Sequence, residues 1–153
     1  MRMDKTVYAL NRLVEINNDR IEGYETAASE TDEQALKALF GRFAQASHTC
    51  REELAREIAS LEGTPTEGTR NSGKLFRIWM DVKVALTSNN RKAIFNSCEF
   101  GEANALETYE HVLKHDREHL GAYHISMINT QMSILSGDHD LVRAIRDELR
   151  MYT

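Results

Sequence analysis

The sequence predicts an all-α chain of four long helices running up, down, down and up, with one long crossover that carries a short extra helix. Three observations lead there. Breakers are scarce: Pro65 is the single proline and there are 8 glycines in 153 residues, so long helices can run uninterrupted. Apolar residues recur at alternating spacings of three and four over most of the chain, the mark of a helix face packed against others. The connections between these segments are short, long and short again.

The first helix is expected from about Asp4 to about Glu30, with Val7, Leu10, Val14, Asn17, Ile21, Tyr24 and Ala28 on one face. Thr31 and Asp32 offer a tight turn and an N-cap, with Glu33 and Gln34 in the first turn that follows. The second helix is expected from about Asp32 to about Glu62, with Leu36, Phe40, Phe43, Ser47, Cys50, Leu54, Glu57 and Leu61 as its seam. The stretch from Gly63 to Gly73 holds Pro65 and three of the glycines and reads as the clearest loop. A short helix near Lys74 to Leu86 carries Leu75, Ile78, Trp79, Val82 and Leu86.

The third long helix is expected from near Asn90 to near His115, with Phe95, Cys98, Glu102, Ala105, Tyr109 and Val112 facing inward. The fourth begins near Asp116 and runs past Gln131 on Leu120, His124, Met127, Gln131 and Ile134. Ser136-Gly137-Asp138 is expected to break or kink it, with Gly137 in the left-handed region and Asp138 capping a last segment that holds Leu141, Val142, Ile145 and Leu149.

Connection lengths set the topology. Tight turns make the first and second helices antiparallel, and likewise the third and fourth. A helix of about 28 residues is about 42 Å long. The link from Gly63 to Asn89, with its own short helix, is long enough to return over that distance. Two hairpins joined by one long crossover form the ferritin-like arrangement. The length suits one domain over residues 1–153.

The balance of 41% apolar and 28% charged residues is that of an ordinary soluble chain. A net charge of −5 without a basic run argues against nucleic acid and anionic membrane as partners. No apolar run of about 18 residues is present, so none spans a bilayer, and no signal-peptide stretch follows Met1-Arg2-Met3-Asp4-Lys5. A cytoplasmic location is the expectation. Cys50 and Cys98 fall on seam positions several turns apart, so they are expected to pack as free thiols.

A di-iron centre in such a bundle takes about six ligands, including a Glu-x-x-His pair from each of two helices, because residues i and i+3 share a face. No Glu in this chain has a His three residues later. The near matches are Glu53-x-x-Arg56 and Glu99-x-x-Glu102, while Asp116-x-x-His119 sits at a turn. Counting from the turns, the middle layer reads Asn17, Gln45 or Ser47, Glu102 and Gln131: polar, with a single carboxylate. The favoured reading is structural, with Glu102 buried and hydrogen-bonded by Gln131, Asn17 or Tyr24, fixing helix register. The competing reading is a reduced metal site on Glu22, His48, Glu99 and Glu102, taking iron, manganese or zinc.

Other patterns read more simply. Glu107, His111 and His115 lie at i, i+4 and i+8; such a stripe binds zinc or nickel only if a further ligand arrives, and otherwise is a solvated face. His139-Asp140 is expected to cap the last segment. Trp79 is expected to pin the short helix onto the others, with a ligand pocket beside Phe76 and Val82 as the alternative. No Gly-x-Ser-x-Gly elbow, P-loop or Gly-x-Gly-x-x-Gly is present.

Several stretches carry a family likeness: Leu10-Asn11-Arg12-Leu13-Val14-Glu15, Glu22-Gly23-Tyr24, Trp79-Met80-Asp81-Val82-Lys83-Val84-Ala85-Leu86, Cys98-Glu99-Phe100-Gly101-Glu102, and His139-Asp140-Leu141-Val142-Arg143-Ala144-Ile145-Arg146-Asp147. In them the chain resembles a group of uncharacterised bacterial ferritin-like four-helix-bundle proteins, labelled only as a domain of unknown function. The resemblance implies a fold and no established activity. The expected role is therefore a structural or interaction protein, stress-associated by analogy with ferritin-like relatives, with a degenerate di-iron site, no enzymatic activity of its own and no cofactor. The alternatives are the metal-binding reading above and a pocket for a small apolar molecule. A second copy of the chain, or another protein, is the expected partner.

Overall fold

The computed structural model describes residues 2–70 and 73–151. The chain is all-helical: α1 (Arg2–Glu30), α2 (Gln34–Ser60), α3 (Gly73–Thr87), α4 (Arg91–His115) and α5 (Ala122–Met151). No strand occurs among the described residues, and no helix of theirs is long and apolar enough to cross a membrane.

Cross-helix hydrogen bonds give the directions. Lys37 Nζ donates to Ala28 O at 2.8 Å and Arg51 Nε to Asn18 Oδ1 at 2.7 Å, so α1 and α2 are antiparallel. Tyr109 bonds Gln131 and Glu99 bonds His139, so α4 and α5 are antiparallel. Asn17 bonds Tyr109 while Arg12 bonds Asp116, which sets α1 against α4 in opposite senses. Gln131 meets Glu53 and His124 meets Glu57, which does the same for α5 and α2.

The link between α2 and α4 runs along α1. Its loop is tied there by Asn11, which donates to Thr64 O and accepts from Thr66 N–H, by Asn18 on Gly68 O, and by Asp19 on the Arg70 N–H. It leaves α2 through a Schellman closure: Gly63 N–H reaches Ile58 O and Glu62 N–H reaches Ala59 O, with Glu62 at a φ of 64°. Gly63 is glycine for space, since a Cβ there would come within 2.7 Å of Val7 Cγ1. Asn89, at a φ of 53°, closes α3 in the same way, and Asn90 then caps α4 by accepting the Ala93 N–H.

Two apolar clusters form the core. One gathers Leu10, Leu13, Leu54, Ile58, Val112 and Ile128; the other gathers Tyr24, Phe40, Phe43, Ile94, Phe95 and Val142. Along α1 the inward order is Leu13, Asn17, Arg20, Tyr24, so polar residues stand where the clusters meet.

Three local expectations are corrected. First, α2 begins at Gln34, and its N-cap residue Glu33 makes no side-chain cap. Asp32 is exposed; Thr31 Oγ1 accepts the Glu33 N–H instead. Second, the fourth long helix begins at Ala122, because a 3-10 turn at Arg117–His119 separates it from α4. That turn is anchored by Arg12 on Asp116 and by the Thr6 hydroxyl on His119 O. Third, α5 runs on through Ser136-Gly137-Asp138, and among the described residues no glycine has a positive φ. Glycine inside a helix costs only about 1 kcal/mol. Gln131, Leu135, Asp138 and Val142 are all buried on one stripe, and that tertiary packing outweighs the cost. Asp138 and His139 are therefore mid-helix residues and cap nothing.

Candidate functional site

At the junction of the two apolar clusters lies a polar girdle built around Arg20, a side chain 1% exposed. Arg20 Nε donates to Glu102 Oε2 at 2.7 Å and Nη2 to Glu102 Oε1 at 2.8 Å, a two-pronged charge-assisted pair. Nη2 also reaches Asp138 Oδ2 at 3.3 Å, and Nη1 donates to the Ser47 hydroxyl and to Phe43 O. One guanidinium on α1 thus ties α2, α4 and α5. Its Cζ lies 5.4 Å from the Tyr24 ring centroid, within cation–π range.

A second chain of hydrogen bonds lies one turn away. Asn17 Nδ2 donates to the Tyr109 hydroxyl at 2.7 Å, and that hydroxyl donates to Gln131 Oε1 at 2.7 Å. Gln131 Nε2 donates to Glu53 Oε1 at 2.7 Å and to Cys50 O at 3.2 Å. This network also touches α1, α4, α5 and α2. Asn17 Oδ1 is left buried without a hydrogen-bond partner.

The electrostatics follow from burial. Desolvation works against the Arg20 charge, but the Glu102 carboxylate outweighs it, with Tyr24 and Asp138 adding to the effect, and the guanidinium's pKa stands above its ordinary value. Burial pushes the Asp138 carboxyl upward; Arg20 opposes the rise and Glu102 reinforces it. Two carboxylates around one guanidinium leave a net negative charge, and a proton on Asp138 removes it. Cys50 and Cys98 are free and buried, as expected; burial lifts the Cys50 thiol to about 11 and Cys98 higher still, so both are poor nucleophiles.

The polar layer expected from sequence exists at Asn17, Ser47, Glu102 and Gln131, all buried, whereas Gln45 is exposed. The expected partner of Glu102 is corrected: Arg20 holds it, and Gln131, Asn17 and Tyr24 do not. Arg20 and Asp138 are the residues that sequence reasoning missed. The signal for Arg20 was its spacing, three after Asn17 and four before Tyr24, which fits the seam as well as Ile21 does.

The candidate metal ligands lie apart. Glu102 gives both oxygens to Arg20. Glu99 Oε1 is 3.0 Å from His139 Nε2, and its Oε2 is 3.7 Å from Arg146 Nη1. His48 Nε2 is 3.0 Å from Glu25 Oε2 on the surface, and Glu22 is exposed beside α3. His111 and His115 lie with their ring centroids 4.2 Å apart, tilted to one another, on an exposed face. Among the described residues no group of three or more His, Cys, Asp or Glu gathers as a metal would require. A guanidinium at the centre of the girdle does not fit a pair of dications there: its charge repels them and it occupies the inward carboxylate.

Comparison with known families matches residues 5–115 to the family described as Domain of unknown function (DUF2383). The span runs from α1 to the end of α4 and takes in Asn17, Arg20, Ser47, Glu102 and Tyr109, while Gln131 and Asp138 lie outside it. No curated protein matches the chain.

Proposed function

For a chain that belongs to the DUF2383 family, we propose a ferritin-like four-helix bundle serving as a structural or interaction protein, with the Arg20 guanidinium standing where a di-iron bundle gathers its metals. The antiparallel pairings of α1 with α2 and α4, and of α5 with α4 and α2, support the up-down-down-up arrangement. The strap along α1 supports the crossover. The helices and the strap are read together as one domain.

The observation that carries the functional reading is the two-pronged Arg20–Glu102 pair, 1% exposed on both sides. In a di-iron bundle, inward carboxylates are bridged by metal. Here the same task, joining facing helices through a central cation, falls to a side chain that is always charged and cannot dissociate. Such a centre holds register and performs no redox chemistry. The bundle's work then lies on its surface, against a second copy or another protein.

Elemental analysis of protein made without a histidine tag, with light scattering for assembly, tests this. The expected result is iron, manganese and zinc far below one equivalent in both wild type and Glu102→Gln. Near-stoichiometric iron or manganese that Glu102→Gln abolishes would overturn the proposal.

A further inference from the structure

A cavity of about 370 Å³ opens between α1 and α3, outside the girdle. That volume lies in the range of small-molecule pockets, roughly 300–1,000 Å³. Its α3 wall is mostly apolar and aromatic, from Phe76, Trp79 and Met80, but also carries Lys83; its α1 wall carries Asp19, Glu22 and Glu30. Phe76 is 70% exposed and Met80 42%, so two large apolar side chains stand at the mouth.

Asp19 decides the chemistry. It is 9% exposed, yet it accepts one hydrogen bond, from the Arg70 N–H to Oδ2 at 3.0 Å. Its other oxygen, Oδ1, has no hydrogen-bond partner among the described residues. A mostly buried carboxylate with one oxygen unpaired gains from a counter-cation. The two cations nearby leave it short. Lys83 lies 3.8 Å from Glu30, and the Arg70 side chain stays beyond ion-pair distance. Glu22, exposed at the rim, has no ion pair among the described residues.

We propose that this cavity binds a small organic monocation, its alkyl or aryl body against Phe76, Trp79 and Met80 and its ammonium group at Asp19 and Glu22. A neutral apolar ligand of the same shape leaves Asp19 unpaired, and an anion meets three carboxylates against the Lys83 ammonium and the Arg70 guanidinium. The inference stands apart from the scaffold reading of the girdle and does not rest on it.

Trp79 is the single tryptophan and lines this cavity, so its fluorescence and its indole N–H resonance report on the cavity wall. Hexylammonium is titrated into the full chain at pH 8, with hexanol and hexanoate as matched controls. The expected result is a saturable hexylammonium signal at least about tenfold tighter than either control. Asp19→Asn and Phe76→Ala each weaken it by about fivefold or more with helicity intact, and Glu22→Gln by less. Binding weakens as pH falls through about 6, where burial has lifted the Asp19 carboxyl; Glu22 and Glu15 reinforce that rise, while the Arg70 N–H and guanidinium oppose it. The proposal is overturned by hexanol binding as tightly as hexylammonium, or by no saturable signal up to about 10 mM, weaker than any useful small-ligand affinity. Unchanged binding in a folded Asp19→Asn overturns it too. Should Asp19→Asn lose helicity, Phe76→Ala on an exposed side chain and the three-ligand comparison decide by the same outcomes.

Discussion

The Trp79 indole lies so close over Gly23 that a Cβ on that glycine would fall 2.4 Å from both Cδ2 and Cε2. The same ring packs edge-on to Tyr24, with centroids 5.0 Å apart, and its far edge comes within 3.2 Å of a Cβ built on Gly101. Trp79 therefore joins α3 to α1 and α4 through two glycines, in keeping with a pinning role. Gly23→Ala is expected to destabilise the fold by about 1–3 kcal/mol, since the ring must leave its packed position against Tyr24 to clear the new methyl. Denaturant titration measures this. An unchanged midpoint would show that the indole has room to move. Gly101→Ala, at the looser contact, is expected to cost less.

Breaking the central pair from either side is expected to be costly. Glu102→Gln leaves a buried guanidinium short of its main counter-charge, and Arg20→Met leaves Glu102 and Asp138 without theirs. Each is expected to lose about 3–5 kcal/mol in urea unfolding. Replacing Arg20, Glu102 and Asp138 together by apolar residues of similar volume is expected to recover most of that loss. Additive losses in the triple variant would mean that the pair contributes stability beyond mutual compensation.

Asp138 gives the girdle a pH dependence of definite sign. Its pKa in the folded chain is raised from 3.8 by burial, so the fold prefers its protonated form. Its contribution to stability is full below the ordinary carboxylate value and is lost as pH rises through the raised one. Asp138→Asn is therefore expected to match wild type below about pH 4 and to be more stable than it at pH 7. Melting curves at the two pH values check this. A variant less stable than wild type at pH 7 would reverse the sign.

Gly137 is exposed within α5, and a Cβ there meets nothing within 4 Å. Its φ is not positive. Gly137→Ala is expected to stabilise by about 0.5–1 kcal/mol through helix propensity and a stiffer unfolded chain. Circular-dichroism melts would show it as a higher midpoint. A lower midpoint would mean that α5 bends at this position in solution.

Sequence alone determined the helical class, the extents of α1, α3 and α4, and the presence of a polar layer at Asn17, Ser47, Glu102 and Gln131, because these depend on spacing along one chain. Periodicity names the residues that face inward and says nothing of what they meet. The tertiary structure alone decided that Arg20, rather than Gln131, satisfies Glu102, since the partners are 82 residues apart. It also decided that Gly137 sits in an unbroken helix. Local propensity there favours a break by about 1 kcal/mol, whereas burying Leu135, Asp138 and Val142 on one stripe requires continuity. Asp19 and Phe76 share a cavity for the same reason: the strap along α1 brings them together, and no local pattern records where a strap comes to rest.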